Sequence, residues 1–137
     1  MSENERYPEA VESETWWGVS DGGPGPTREK SYRFALVIID LFKRLEERRE
    51  YVISKQLLKS GTSIGANVVE ASAAESRRDF VHKMAIASKE ARETSYWLQL
   101  LSESDLAPGI DVSTELELVE ELIRLLTSIV KTASQER

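Results

Sequence analysis

From Lys30 onward, apolar residues recur at helical spacing. Phe34, Ile38, Leu41 and Leu45 fall at i, i+4, i+7 and i+11 on one face, widened by Ala35, Val37 and Phe42, with Lys43, Arg44, Glu46 and Glu47 on the others. A charged run interrupts this pattern, so the first helix is expected to end near Arg48 to Glu50. A second apolar stripe, Ile53, Leu57, Ile64, Val68 and Ala71, predicts a helix from about Tyr51 to Ala71. The third helix opens at Ser76, with Asp79 three residues on, the spacing of a capping box. Its inward face is Phe80, Met84, Ala87, Ala91, Leu98 and Leu101, and it runs to about Ser102. Leu106 to Val112, with Pro108-Gly109, reads as a turn. The last helix starts at Ser113 or Thr114, with Glu117 as a candidate box partner, and carries Leu116, Val119, Leu122, Ile123, Leu126, Ile129 and Val130. Short connections between long helices favour antiparallel neighbours. The expected fold is therefore all-α, an up-down-up-down four-helix bundle over residues 28–137.

Beside the apolar stripe of the second helix lies another: Gln56, Ser60, Ser63, Asn67 and Glu70, spaced 4, 3, 4, 3. This is a heptad-like seam of small and polar residues. Gly61 and Gly65 lie four apart on one face of the same helix. Glycine costs about 1 kcal/mol relative to alanine inside a helix, so the pair suggests close approach of another backbone. The seam has three readings: an internal hydrogen-bond network, the subunit interface or lumen of a ring, or a ligand-contacting surface.

Residues 1–27 break the pattern. Gly22, Gly23, Pro24, Gly25 and Pro26 disfavour helix and strand, and few aliphatic residues precede them, so this stretch is expected to be a disordered acidic tail, dispensable for folding. Trp16 and Trp17 are its exception: adjacent tryptophans in a tail can dock on the tail's own domain, dock on a partner or have no role, with self-docking or no role favoured.

Charge divides the same way. The net charge of −6 comprises −5 in residues 1–27, +5 in 28–92 and −6 in 93–137. The acidic balance therefore says little about the folded part, whose middle block offers a candidate basic surface: Lys55, Lys59, Arg77, Arg78, Lys83 and Lys89. That surface has a plain alternative as a solvated face paired with acidic helices. If it binds phosphate, binding should be weak and sequence-independent, and stronger once residues 1–27 are removed.

Chemical motifs are sparse. With no cysteine and one histidine, His82, the chain lacks the makings of disulfides, thiolate metal sites and a Glu-x-x-His di-iron centre. Glu90-x-x-Glu93 and Glu117-x-x-Glu120 are acidic pairs of a kind that hold magnesium in nucleotide hydrolases, but the full acidic cluster is missing. No phosphate-binding glycine loop or nucleophile triad is present. No metal, cofactor or enzymatic activity is expected. No apolar run spans a membrane, and the N-terminus has no apolar signal core, so a cytoplasmic location is expected.

The stretch from Gln56 to Leu101 resembles the bacterial four-helix bundle family linked to intervening sequences in 23S ribosomal RNA genes, the S23 proteins. Its most specific pieces are Gln56-Leu57, Ser60, Ser63-Ile64, Ala66-Asn67, Glu70, Ser76, Asp79-Phe80, Glu90-Ala91, Glu93-Thr94 and Tyr96-Trp97-Leu98. The same fold includes the accessory variability determinant of diversity-generating retroelements. The resemblance, over about 34–132, implies a bundle assembled as a ring, typically a homopentamer. It also implies, for the retroelement relative, contact with nucleic acid and a reverse transcriptase through basic surface. The chain is thus expected to be a non-enzymatic oligomeric scaffold engaging RNA, DNA or a nucleic-acid enzyme, the alternative being a protein-binding adaptor.

Overall fold

The computed structural model describes Trp16 and residues 24–135. Among the described residues there are four long α-helices and no strand: α1 Pro24–Glu47, α2 Ile53–Ser72, α3 Arg77–Glu103 and α4 Ser113–Gln135. Each helix packs along its neighbour in sequence, and α1 also meets α4, which closes a bundle around one core. No helix among the described residues is long and apolar enough to cross a membrane.

The apolar stripes face inward. Phe34, Ile38, Leu41 and Leu45 of α1 are buried with Leu57, Ile64 and Val68 of α2, Phe80, Met84 and Leu98 of α3, and Val119, Leu122, Leu126 and Ile129 of α4. Ala87 and Ala91 fill the middle of α3 with no exposed surface, so the neighbouring helices approach closely there.

The first helix starts earlier than its composition suggests. The boundary expected between residues 27 and 28 falls inside α1, which begins at Pro24, and Thr27 is fully buried. The first four N–H groups of a helix have no intrahelical partner, so Pro24 and Pro26 remove no hydrogen bond at these positions. Residues 1–15 and 17–23, including Trp17 and most of the expected tail, lie outside the described residues. Trp16 does not: it is half-buried and packs against the core.

The α1–α2 connection is built by local backbone satisfaction, within five residues on either side of Glu50. Arg49 takes a left-handed conformation, φ 62°, and its N–H donates to the Glu46 carbonyl at 3.0 Å while the Glu50 N–H donates to the Leu45 carbonyl at 3.0 Å. This is the Schellman closure, with arginine where glycine is usual. The buried Glu50 carboxylate then turns to α2 and accepts from the Val52 N–H at 3.1 Å, from that of Ile53, and from that of Ser54 at 3.2 Å. It satisfies orphan donors and places negative charge at the positive end of the helix. Glu50→Ala should therefore lower stability by about 1–2 kcal/mol in urea unfolding, whereas an exposed glutamate would give almost no change; a neutral result would refute the capping role.

The other caps divide. Ser76 Oγ accepts from the Asp79 N–H at 3.0 Å, so Ser76 caps α3. At α4, Thr114 lies inside the helix, and it is the Asp111 carboxylate that accepts the Ser113 N–H, at 2.9 Å. Those hydrogen bonds from Ser113 hold the Asp111 carboxyl below its ordinary range.

Candidate functional site

The polar seam and the glycine pair of α2 serve two different contacts. Gly61 and Gly65 face α1: a Cβ at Gly61 would stand 2.8 Å from Ile38 Cγ2, and one at Gly65 3.3 Å from the Ser31 carbonyl oxygen. The seam turns toward α3. Ser60 is buried and accepts from Thr94 Oγ1 at 2.9 Å, and the same Thr94 hydroxyl lies 2.8 Å from the Glu90 carbonyl. A serine and a threonine are small enough for α2 and α3 to approach here, and each satisfies the other's polarity. Ser63 and Asn67 are half-buried, with Asn67 Nδ2 donating to the Ser63 carbonyl at 2.8 Å. Gln56 and Glu70 are exposed, and Glu70 meets Lys83 at 3.4 Å. Within one subunit the inner part of the seam is thus a helix–helix contact, and Gln56, Ser63, Asn67 and Glu70 remain accessible along the α2–α3 groove.

Acidic groups stand along α3 and α4 as well. Burial, followed by the charge of Glu93, raises the Glu90 carboxyl above its ordinary range, against the opposing pull of Lys89 and Lys59. Glu93 accepts from the Trp97 indole N–H at 3.2 Å, and Glu120 accepts from Ser95 Oγ at 3.0 Å. Each E-x-x-E pair therefore contributes at least one carboxylate to a hydrogen bond within the bundle. Among the described residues no cluster of three or more histidines and carboxylates gathers.

The basic residues fall into two groups. Lys55 and Lys59 are exposed one turn apart on the first half of α2. Arg77, Arg78 and Lys83 lie in the first two turns of α3, beside the far end of α2, where Glu70 reaches Lys83. The distance from Lys59 to Glu70 along α2 is about 16 Å, so the groups flank the groove rather than form one patch. Arg78 is exposed, whereas Arg77 is half-buried and its Nε donates to the Ala133 carbonyl near the end of α4 at 2.7 Å. Arg77 thus joins two helices, a task its position in the sequence does not disclose. Arg44 is a further cation that the sequence leaves unmarked: it bridges exposed Asp40 at 3.1 Å and buried Glu115 at 3.0 Å, tying α1 to the first turn of α4.

Among the described residues two groups of apolar side chains stay open on the helices, apart from exposed Tyr51, Val52 and Leu106 in or beside the connections. Tyr32, Leu36 and Val69 are at least half exposed on α1 and α2, and Tyr96 and Leu100 are exposed on α3. Their side chains lie outside the core that the inward stripes complete.

The chain matches the family model described as 23S rRNA-intervening sequence protein over residues 27–128. It is similar to a solved structure of a protein of unknown function from the S23 ribosomal protein family of Bacteroides thetaiotaomicron VPI-5482, at 45% identity and a TM-score of 0.74, covering 79% of this chain and 97% of that one. No curated protein matches it.

Proposed function

The chain belongs to the 23S rRNA-intervening sequence protein family, and from that premise we propose that it is a non-enzymatic, homo-oligomeric scaffold of the cytoplasm that engages RNA, DNA or a nucleic-acid enzyme. The bundle is up-down-up-down and antiparallel in this reading. Residue pairs support it: Gly61 meets Ile38 while Gly65 meets Ser31, and Arg44 meets Glu115 while Lys30 meets Glu121. Partner numbers fall on one helix as they rise on the other.

The observation that carries self-assembly is the pair of open apolar surfaces on different helices. Two distinct surfaces suit a head-to-tail contact, which closes into a ring, better than a single self-complementary patch. The choice of a pentamer rests on the resemblance. A ring also repeats exposed Lys55, Lys59 and Arg78 on every subunit, so a modest basic surface becomes multivalent.

Light scattering on the purified protein should give a mass that is a multiple of 15.5 kDa, five-fold for the pentamer. A stable monomer at micromolar concentration would sink the assembly. Fluorescence anisotropy with labelled RNA and DNA duplexes at about 50 mM salt should detect weak, sequence-independent binding that fades as salt rises. Lys55→Glu with Lys59→Glu should weaken it on both duplexes alike. No binding at that salt would leave the basic residues as a solvated face and put the protein-binding adaptor first.

A further inference from the structure

We propose that the exposed face shared by α3 and α4 is the nucleic-acid surface of this chain, and that it takes the phosphate backbone of a duplex. This face deepens the nucleic-acid reading above and rests on it: that reading says nucleic acid binds, and the face is where it is held.

Hydrogen bonds lay the first half of α3 beside the second half of α4. Arg77 Nε donates to the Ala133 carbonyl at 2.7 Å, and Arg92 Nη2 donates to Thr127 Oγ1 at 3.0 Å. Positive charge concentrates on this pairing: residues 77–92 and 122–135 hold seven bases and two acids. Both acids, Asp79 and Glu90, share with Lys83 the side of α3 that faces α2. Lys83 meets Glu70 of α2 there, and Lys59 of α2 acts on Glu90.

The side turned toward α4 and solvent carries the cations. Arg78, Ala85 and Arg92 recur at intervals of seven along α3, and Arg124 and Lys131 stand seven apart on α4, so each set shares a helix face. All four cations are exposed, as is Lys89 beside Arg92. Among the described residues no carboxylate pairs with any of the five. The acids toward the start of α4 are engaged elsewhere, Glu121 with Lys30 at 2.9 Å and Glu120 with Ser95 Oγ at 3.0 Å. Arg78 and Arg92 mark out about 21 Å along the helix. Between the stripes lies an open pocket of about 270 Å³, lined by Ala85, Ser88, Arg92, Thr127, Val130 and Lys131. It admits a phosphate group, and its two cations and two hydroxyls supply charge-assisted and neutral donors.

The same chemistry selects the partner. Over residues 77–92 and 122–135 no large apolar side chain is exposed, and Tyr96, the next exposed aromatic along α3, stands a turn beyond Arg92. A protein interface centres on aromatic anchors, and single strands need rings on which bases stack. The strip offers neither. A line of cations without stacking platforms suits the regularly spaced phosphates of a duplex, held without regard to sequence.

Acetylation footprinting of the full chain, read by mass spectrometry, tests the face in the parent protein. Excess RNA or DNA duplex at about 50 mM salt should lower modification of Lys89 and Lys131 several-fold and leave Lys43 of α1 unchanged. Protection of Lys55 and Lys59 with none at Lys89 and Lys131 would overturn the proposal and leave the nucleic-acid reading standing. In anisotropy, Arg124→Gln with Lys131→Gln should bind both duplexes about tenfold more weakly than the parent and reduce the log–log salt slope by about two. Its melting should match the parent's, and it should lose more affinity than Lys55→Gln with Lys59→Gln. Unchanged affinity in the Arg124, Lys131 pair would overturn the assignment of this face. If the parent binds neither duplex, the nucleic-acid reading itself fails, and the face falls with it.

Discussion

Gly61→Ala should destabilise the protein by about 1–3 kcal/mol, although the same change in an unpacked helix stabilises by about 1 kcal/mol. The sign is set by Ile38. An added Cβ would stand 2.8 and 2.9 Å from two of its side-chain carbons, and Ile38 is fully buried on the facing helix. A β-branched residue in a helix has little rotamer freedom with which to retreat, so the helices must part. Gly65 offers a matched control. There the nearest atom is the Ser31 carbonyl oxygen at 3.3 Å, a milder approach, and Gly65→Ala should lose less than Gly61→Ala. Urea unfolding followed by circular dichroism at one protein concentration gives both values. A Gly61→Ala protein as stable as the parent would mean that α1 and α2 slide apart at little cost.

Phe80→Ala is the second large effect, with an expected loss of about 3–5 kcal/mol. Against the 5–15 kcal/mol typical of a domain, that is a substantial fraction. Phe80 has no exposed surface, and it stands where α3 starts, beneath Trp16. Its removal leaves a cavity and takes away the floor of the indole, so tryptophan emission should become more accessible to quencher at the same time. Trp16→Ala removes only a half-buried side chain and should cost less. The double variant should lose less than the sum of the two singles, because they share one contact. A loss under about 1 kcal/mol for Phe80→Ala would mean that the end of the bundle refills itself.

The four helices were legible because each carries a complete local signal. The α1 stripe from Phe34 to Leu45 and the α4 stripe from Val119 to Ile129 are read from spacing, and both line the core. Ser76 and Asp79 announce a cap with two residues, and the cap forms. The start of α1 was not legible: Pro24, Gly25 and Pro26 look like breakers until their place in the first turn is known. Nor was the Glu50 cap, where a glutamate in a charged run folds back on the next helix.

The candidate site divides similarly. The sequence places Ser60, Gly61, Ser63 and Gly65 on adjoining helix faces but cannot say which neighbouring helix each face meets. Tertiary structure sends the glycines to α1 and Ser60 to Thr94 of α3. It also separates Lys55 and Lys59 from Arg77, Arg78 and Lys83, and it commits Arg77 to the Ala133 carbonyl. Charge counts treat these residues as one block because they share a stretch of chain, whereas exposure and pairing depend on what stands opposite.

What the chain determines by itself is therefore helix identity, the inward faces and a cap with the recognisable spacing of Ser76 and Asp79, since those depend on dihedral preference and on a period of 3.6. Only the tertiary structure decided that Trp16 packs on Phe80, that Gly61 accommodates Ile38 and that Arg44 holds buried Glu115. Each joins residues at least 23 positions apart, Gly61 and Ile38 being the nearest pair. Local periodicity carries no information about such partners. They are fixed when the four stripes exclude water together and the helices settle at the separations their smallest side chains allow.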